Sequence, residues 1–389
     1  LAYAHSNKIF AMHLLPDYSP RAIRDELSAW NRMHALPVKG SIQPHENNPD
    51  PDRRLAIGYV SADFGQHVVA WNLLPLLKQH DHKQFSIFCY SNAAHKDSVT
   101  GQLQSCVDGW RDIAGVDDDR AAQMIRDDQI DILVDLAVHT PRNRLLIFAR
   151  KPAPIAVTYL GYCGSTGLDT VDYRFSDPFL DPPETDLTLY SEQTVHLPRS
   201  YWCYRPGGPA PDPSPPPALS AGFVTFGCLN NFAKLSSAAL GLWIPILQRV
   251  ANSKLILHSN PGPHLNVLRE ALATAGITAD RLEFVSKKPW PAYISTYNRI
   301  DIALDTVPYN GGITTCDALF MGVPVVSLSG QMAVGRAGRS ILSNVGLPEL
   351  IAQTPQQYVD IAAELAGDIT RLSEMRPGLR NRMQTSPLM

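Results

Sequence analysis

From residue 54 onward, short apolar runs rich in β-branched residues alternate with longer amphipathic segments. The first four runs begin at Leu55, Phe85, Ile130 and Ile155. This alternation predicts an α/β domain in which helices join parallel strands and cover both faces of one sheet. Ligands of such sheets bind beyond the carboxyl ends of the strands. We therefore expect the residues that follow these runs to converge on a crevice.

Polar and small residues follow three of the four runs. They are Gly65 and His67 after the first run, Asp135, His139 and Thr140 after the third, and Gly161 after the fourth, where it follows Leu160. The titratable groups among them are the candidates for proton transfer at this edge. A loop histidine held by hydrogen bonds is the alternative interpretation of His67.

Residues 205–219 contain a run of prolines that excludes a helix or strand interior, because proline fixes φ and removes a backbone donor. We interpret them as a linker between two domains. A second alternation follows. Its strands are predicted to begin at Phe223, Lys254 and Leu282, and its helices to cover residues 240–250, 264–275, 292–299, 335–345 and 355–371. Pro245 is expected to kink or split the first of these helices.

A strand predicted over Ile300–Leu304 leads into two glycines and then a helix. Glycines let the backbone approach a ligand closely, and the start of a helix offers unpaired N–H groups and a positive dipole end. The pattern therefore predicts a phosphate-binding cradle at Gly311, Gly312, Ile313, Thr314 and Thr315. Asp317 is placed to accept hydrogen bonds from a ribose. The alternative is a turn that caps a helix and binds nothing.

Residues 1–37 are helical in pattern. Ser19 is an N-cap residue with Pro20 at the first helical position, and apolar residues follow at helical spacing up to Trp30. With the preceding segment they predict a helical hairpin, which we interpret as the remnant of a helical repeat array. One copy does not establish a repeat.

Length, net charge and cysteine content limit the classes of protein to which the chain can belong. The chain has 389 residues, more than the roughly 250–300 at which single cores stop growing, so two domains are expected. The net charge of −3 argues against a protein that binds nucleic acid through phosphate contacts. No apolar run reaches about 18 residues, and the six cysteines form no CxxC pair. We therefore expect no membrane span, no disulfide framework and a cytoplasmic location.

One acidic run, Asp117–Asp119, has the composition of the paired acids that hold a divalent ion at a diphosphate. It precedes a predicted helix through Ile125, where acidic side chains complement the helix dipole. We interpret it as a helix cap and expect no metal site.

Two such domains with an anion cradle in the second form the arrangement of GT-B glycosyltransferases. Over residues 54–389 the chain resembles the catalytic region of O-GlcNAc transferases and their bacterial relatives. The motifs that carry this resemblance are GYVSADFGQH at 58–67, RKPAPI at 150–155, LGYCG at 160–164, NNFAK at 230–234, Asp305 with Asn310, Gly311 and Asp317, and the SPL at 386–388. It implies Rossmann-like domains over 54–204 and 220–389, the second binding UDP, behind a tetratricopeptide-like segment.

The resemblance also implies roles for single residues. His67 matches a histidine that lines the sugar and acceptor side. Lys234 matches a lysine that contacts the diphosphate, where an ammonium stabilises the leaving group; a solvated lysine at a helix start is the alternative. Asn231 stands where the best-known members have a glutamine. The uracil is expected at Lys288 and Tyr293, and Pro289 and Trp290 between them are expected to contact the UDP donor.

Three positions depart from the family pattern. Gly312 replaces a histidine of the animal members, so one side-chain contact to the sugar or phosphate is absent. Tyr309 replaces a smaller residue near the N-acetyl pocket, which bears on sugar selectivity. His139 stands where a tyrosine is expected. We assign Tyr309 to the sugar and acceptor side together with Gly65, Thr140, Leu160 and Gly161.

The implied reaction is inverting, metal-independent transfer of GlcNAc from UDP-GlcNAc to Ser or Thr hydroxyls of polypeptides, without a cofactor. His67, Asp135 and His139 are the candidates for accepting the hydroxyl proton, and the sequence does not choose among them. No nucleic-acid or membrane partner is expected, and the resemblance allows an oligomer formed through further helical repeats. The alternatives are another UDP-sugar, a non-protein acceptor such as a lipid or glycan, and an inactive scaffold that binds a nucleotide sugar.

Overall fold

The computed structural model describes all residues from Leu1 to Met389 and divides the chain into two compact units. The first unit contains Leu1–His13 and Tyr18–Arg205, and the second contains Leu14–Asp17 and Pro206–Met389. Each unit is built around one parallel sheet, so the predicted α/β class is confirmed. None of the helices is both long enough and apolar enough to cross a membrane.

The first unit has a seven-stranded sheet of order β3-β2-β1-β4-β5-β6-β7 in which every pairing is parallel. Its strands are β1 (Leu55–Ser61), β2 (Phe85–Ser91), β3 (Gly109–Asp112), β4 (Ile132–Asp135), β5 (Ile155–Thr158), β6 (Tyr173–Ser176) and β7 (Gln193–His196). Its helices are α1 (Ala2–Met12), α2 (Pro20–Trp30), α3 (Val68–Gln79), α4 (Ser98–Gln104), α5 (Asp118–Asp127) and α6 (Leu145–Phe148). The strand order reverses between β1 and β4, which is where open α/β sheets bind ligands.

The second unit has a six-stranded parallel sheet of order β10-β9-β8-β11-β12-β13. Its strands are β8 (Thr225–Cys228), β9 (Lys254–His258), β10 (Leu282–Val285), β11 (Ile302–Leu304), β12 (Val325–Leu328) and β13 (Ile351–Ala352). Its helices are α7 (Ala218–Ala221), α8 (Ser237–Arg249), α9 (His264–Thr274), α10 (Trp290–Ser295), α11 (Ile313–Phe320), α12 (Ala337–Val345), α13 (Pro355–Gly367) and α14 (Ile369–Gln384). The strand order reverses between β8 and β11. The loops after these two strands therefore meet at the edge where open α/β sheets bind ligands.

Two helix predictions in the second unit are narrowed or corrected. Pro245 does not split α8, which continues through it with Trp243, Ile246 and Leu247 buried in the core; a kink at Pro245 stays a prediction. The helix predicted over residues 355–371 ends at Gly367, and a further helix begins at Ile369. The Asp368 side chain caps that second helix by accepting a hydrogen bond from the Arg371 N–H at 2.9 Å.

The proline-rich segment packs on the second unit. The Ser214 N–H donates to Asn298 Oδ1 at 3.1 Å, and the Arg376 guanidinium donates to the Ser214 carbonyl at 3.0 Å. The indole N–H of Trp290 donates to the Pro209 carbonyl at 3.0 Å. Residues 206–217 therefore form an ordered part of this unit, and the segment predicted as linker up to residue 219 ends in the short helix α7.

The N-terminal helices are an integral part of the first unit. The Ser6 hydroxyl lies 3.0 Å from His139 Nδ1, and the Trp30 ring lies edge-on to the His139 ring at 5.3 Å between centroids. A Cβ on Gly167 would lie 2.8 Å from the Leu27 side chain, so the loop after β5 contacts α2 closely. These helices therefore brace the loops at the carboxyl edge of the first sheet.

Candidate functional site

A buried carboxylate organises the turn between β11 and α11. Asp305 follows β11 directly, and its Oδ1 accepts hydrogen bonds from the N–H groups of Gly311 at 2.6 Å and Thr306 at 2.8 Å. Its Oδ2 accepts from the Ser327 hydroxyl on β12 at 2.7 Å. Burial raises the pKa of Asp305 above its ordinary value, although these donors oppose the shift. The carboxylate fixes where the Gly-Gly turn leaves the sheet.

The loop after β8 reaches the same turn. The Asn230 amide donates to the Thr306 hydroxyl at 2.9 Å, and its carbonyl oxygen accepts from the Thr314 hydroxyl. A Cβ on Gly311 would lie within 2.8 Å of both Asn230 Oδ1 and Thr314 Oγ1, so no larger residue fits there without a shift. The glycine is therefore required by the close approach of the two loops.

Helix α11 begins at Ile313 with Gly312 as its N-cap residue. The N–H groups of Thr315 and Cys316 donate to the Gly312 carbonyl at 3.0 and 3.1 Å. The N–H groups of Gly312, Ile313 and Thr314 precede these bonds, as the first donors of a helix do. With the positive end of the helix dipole they can hold an anion.

Lys234 lies at this turn. Its ammonium donates to the Asn310 carbonyl at 2.8 Å and lies 4.0 Å from the centroid of the Tyr309 ring. Asn231, its predicted companion, uses its side-chain oxygen to cap the short turn before Lys234 by accepting from the Ala233 N–H at 3.1 Å. A fixed cation and the start of a helix therefore occupy the same edge of the second sheet.

A small pocket lies at this edge, between the ends of β8 and β11 and the first turn of α11. Its lining includes Asn230, Asp305, Thr314, Thr315 and Tyr297. No group of three or more His, Cys, Asp or Glu side chains suited to a metal ion occurs in the structure.

The residues predicted to bind the nucleoside lie on α10 and α11 or directly before α10. Asp317 is buried, and its carboxylate accepts a hydrogen bond from the Tyr293 hydroxyl at 2.9 Å. Trp290 lies 5.8 Å from the Tyr293 ring between centroids. Lys288 and Pro289 are exposed just ahead of α10. The structure brings Asp317 and Tyr293 into contact, and their assignment to ribose and uracil stays a prediction.

His67 is the accessible histidine of the predicted set in the first unit. It is the N-cap residue of α3, its side chain is 46% exposed, and its Nδ1 lies 3.7 Å from the Asp63 carboxylate. The same nitrogen accepts from the Val69 N–H at 3.3 Å, so in the neutral ring the proton resides on Nε2. The ring can therefore exchange a proton with a group at the surface.

Asp135 and His139 are enclosed instead. Asp135 accepts hydrogen bonds from the Val138 N–H and the Thr158 hydroxyl, at 2.8 and 2.9 Å, and burial raises its pKa to about 6. His139 is 0% exposed, its Nε2 donates to the Thr166 carbonyl at 2.9 Å, and burial lowers its pKa to about 3. Both side chains hold loops in place, which makes them poor candidates for the base.

The other predicted residues on this edge are close-packed. A Cβ on Gly161 would lie 2.7 Å from the backbone of Ala137, so the loops after β4 and β5 touch there. The Thr140 hydroxyl donates to the Ala137 carbonyl at 2.8 Å. Leu160 has a φ of 67°, a left-handed conformation that is strained for a leucine. A Cβ on Gly65 would meet the Asp97 carboxylate at 2.9 Å.

The lowered pKa values of two buried histidines predict that acid destabilises the first unit. Burial lowers the pKa of His13 to about 4 and that of His139 to about 3, whereas an unfolded histidine titrates near 6.5. Between pH 6.5 and 5 the unfolded chain therefore binds more protons, which costs about 1.5 kcal/mol of stability per histidine. Asp135 opposes this by about 1 kcal/mol, because its raised pKa favours proton binding by the folded state.

The free energy of unfolding, measured by urea denaturation at both pH values, should fall from pH 6.5 to 5, with about 2 kcal/mol of the loss due to His13, His139 and Asp135 together. The His139→Gln variant keeps an amide donor for the Thr166 carbonyl but has no ionisable ring, so its loss should be markedly smaller. An equal loss in the two proteins would contradict the assignment of the pH dependence to His139.

Asn230 and Asp305 belong to the motifs that carry the family resemblance, but no role in the site was predicted for them, and Ser327 was not named at all. A usable signal was present for Asp305, since a carboxylate that directly follows a buried strand ahead of two glycines is placed to bind their N–H groups. Asn230 and Ser327 act through contacts with residues far away in sequence, which no local pattern shows.

Two Rossmann-like units, with a cation and a helix start at the switch point of the second, define the GT-B class of glycosyltransferase fold. The sequence profile of glycosyl transferase family 41 matches residues 30–204 and 218–389. The chain belongs to this family, and the resemblance inferred from its motifs is confirmed.

Among curated relatives, a Petunia hybrida protein named probable UDP-N-acetylglucosamine--peptide N-acetylglucosaminyltransferase SPINDLY is 37% identical over 393 residues, covering 99% of this chain and 42% of the relative. The protein of that name from Oryza sativa subsp. japonica is 38% identical over 395 residues, with the same two coverages. This chain therefore spans less than half the length of these relatives.

The solved structures that are similar to this one include two glycosyltransferases. An O-GlcNAc transferase mutant from Thermobaculum terrenum matches with a TM-score of 0.92 and 38% identity, covering 99% of this chain and 73% of that chain. A lipopolysaccharide outer core galactosyltransferase matches with a TM-score of 0.51 and 14% identity, covering 85% of this chain and 95% of that chain. At 14% identity, the similarity to the galactosyltransferase shows a shared fold and nothing more.

Proposed function

We propose that this chain is the catalytic region of an inverting glycosyltransferase that moves GlcNAc from UDP-GlcNAc to Ser or Thr hydroxyls of polypeptides. The observation that carries the proposal is the meeting of the Lys234 ammonium with the turn that starts α11. The printed names of the plant relatives specify a UDP-GlcNAc donor and a peptide acceptor, which supports both substrates.

In this reaction the acceptor oxygen forms a bond to the anomeric carbon while the bond from that carbon to the diphosphate breaks. The electron pair leaves with UDP, so negative charge grows on the diphosphate. The Lys234 ammonium and the N–H groups at the start of α11 stabilise that charge without reorganising. We propose that they replace a divalent ion, so the transfer is metal-independent.

The acceptor hydroxyl loses its proton as it attacks. We propose His67 as the group that takes this proton, because its ring is exposed whereas Asp135 and His139 are enclosed. A neutral imidazole near physiological pH is suited to this role.

Peptide mass spectrometry tests the function. The protein is incubated with UDP-GlcNAc, EDTA and a library of Ser- and Thr-containing peptides, and a matched library with Ala at those positions is the control. The expected result is the gain of one N-acetylhexosamine per modified peptide, only in the hydroxyl-containing library. NMR of the product should show a β-linked sugar, since the donor is α-linked and the transfer inverts.

Other outcomes point to the alternatives. Transfer from another nucleotide sugar but not from UDP-GlcNAc would replace the donor in this proposal, and transfer only after a divalent ion is added would overturn metal independence. Donor binding without transfer to any peptide would favour a non-protein acceptor or a scaffold.

A further inference from the structure

The Tyr309 ring and the Asn310 carbonyl together fix the ammonium of Lys234. The ammonium lies 4.0 Å from the centroid of the ring and 2.8 Å from the carbonyl oxygen. Two successive residues of one turn therefore approach the same cation, one with a π face and the other with a hydrogen-bond acceptor. The family resemblance predicts that Tyr309 contacts the sugar. The structure shows that Tyr309 also contacts Lys234, the residue predicted to bind the diphosphate.

The backbone that carries the ring is itself held in place. The Thr306 hydroxyl donates to the Tyr309 carbonyl at 2.7 Å, and the Asn310 N–H donates to the Val334 carbonyl at 3.0 Å. The Asn310 amide donates to the Thr306 carbonyl at 2.8 Å, and Asn310 is fully buried. The ring therefore projects from a rigid turn and forms a fixed wall beside Lys234.

An aromatic face suits a lysine that must bind an incoming anion. It attracts the cation through its quadrupole and takes up none of the net positive charge. A carboxylate at the same position would form an ion pair that the diphosphate has to displace.

We propose that Tyr309 is a positioning residue that holds the Lys234 ammonium in place for the diphosphate of the donor. This inference rests on the proposed function, since it assumes that Lys234 meets a diphosphate. It assigns to the ring an effect on phosphate binding that is separate from any effect on the sugar.

Binding of UDP in EDTA to matched variants tests the proposal, with calorimetry for UDP and ligand-observed NMR for uridine. Tyr309→Phe keeps the aromatic face, and Tyr309→Leu replaces it with an apolar side chain without one. We expect Tyr309→Phe to bind UDP within about twofold of wild type, and Tyr309→Leu to bind it roughly five- to tenfold more weakly. Uridine, which has no phosphate, should bind both variants as it binds wild type.

The same Tyr309 substitution made in a Lys234→Met protein distinguishes an effect through the lysine from a general effect on packing. In Lys234→Met, where the ammonium is gone, Tyr309→Leu should cause no further loss of UDP affinity. The proposal is overturned if Tyr309→Leu binds UDP like wild type, if Tyr309→Phe loses as much affinity as Tyr309→Leu, or if the loss persists in Lys234→Met. If wild type itself fails to bind UDP, the proposed function falls and this inference falls with it; unchanged binding in Tyr309→Leu overturns this inference alone.

Discussion

Replacing Lys234 with alanine should lower turnover by about two to three orders of magnitude. The ammonium is fixed at the start of α11 by the Asn310 carbonyl and the Tyr309 ring, so it can stabilise charge on the leaving diphosphate without reorganising. Removing a preorganised contact of this kind typically costs about 3–4 kcal/mol of activation free energy. Turnover is measured as UDP release in the presence of the peptide acceptor.

Lys254→Ala is the matched control. Lys254 also lies over an aromatic ring, 4.7 Å from the centroid of Phe223, but it is the first residue of β9 and so occupies the opposite edge of the sheet. Its removal should leave turnover unchanged. A Lys234→Ala protein that retains more than a tenth of wild-type turnover would show that the lysine does not stabilise the leaving group.

Replacing Asp305 with alanine should lower the free energy of unfolding of the second unit by about 3–5 kcal/mol and abolish UDP binding. The substitution leaves the Gly311 and Thr306 N–H groups and the Ser327 hydroxyl without their acceptor. Each buried donor left unsatisfied costs about 1–3 kcal/mol. Urea denaturation measures the loss, and hydrogen exchange of peptides from β11 and β12 locates it.

Asp305→Asn separates hydrogen bonding from charge. The asparagine oxygen can still accept from both N–H groups, and its amide can donate to Ser327 Oγ after that hydroxyl rotates. We therefore expect a loss of about 1 kcal/mol or less and retained UDP binding. If Asp305→Asn is as destabilising as Asp305→Ala, the carboxylate acts through its charge rather than as an acceptor for the turn.

The strand, the Gly-Gly turn and the helix of the predicted phosphate cradle could be derived from sequence because their signals are local; phosphate binding itself stays a prediction. A buried strand, two glycines and a run of helix-forming residues occur within 21 residues, from Ile300 to Phe320, and α11 begins at Ile313 as the pattern requires. Lys234 required the family resemblance, since a lysine after a strand is common and its contact with Asn310 spans 76 positions.

Strand β6 contains a buried charged residue that hydrophobic periodicity could not predict. Its Arg174 side chain is buried and paired with Asp181 at 2.8 Å, so a strand in the sheet interior contains a charged residue where an apolar one is expected. Periodicity assigns such a residue to the surface. The ion pair, a hydrogen bond to the Thr194 hydroxyl at 2.9 Å and the contact of Arg174 with the Tyr190 ring at 3.6 Å together make its burial tolerable.

The proton acceptor could not be chosen from sequence for a similar reason. His67 and His139 both follow strands at the same edge, and their types and spacing do not distinguish them. The difference arises from α1, whose Ser6 lies against His139 and helps to enclose it, whereas His67 stays at the surface.

The measurement that tests the central claim most directly is calorimetric titration of UDP into the protein in EDTA, with wild type and Lys234→Ala side by side. We expect micromolar binding in wild type, unaffected by the chelator, and a collapse of affinity in the variant. Binding that requires a divalent ion, or that is the same in both proteins, would contradict a metal-free diphosphate site built from Lys234 and the start of α11.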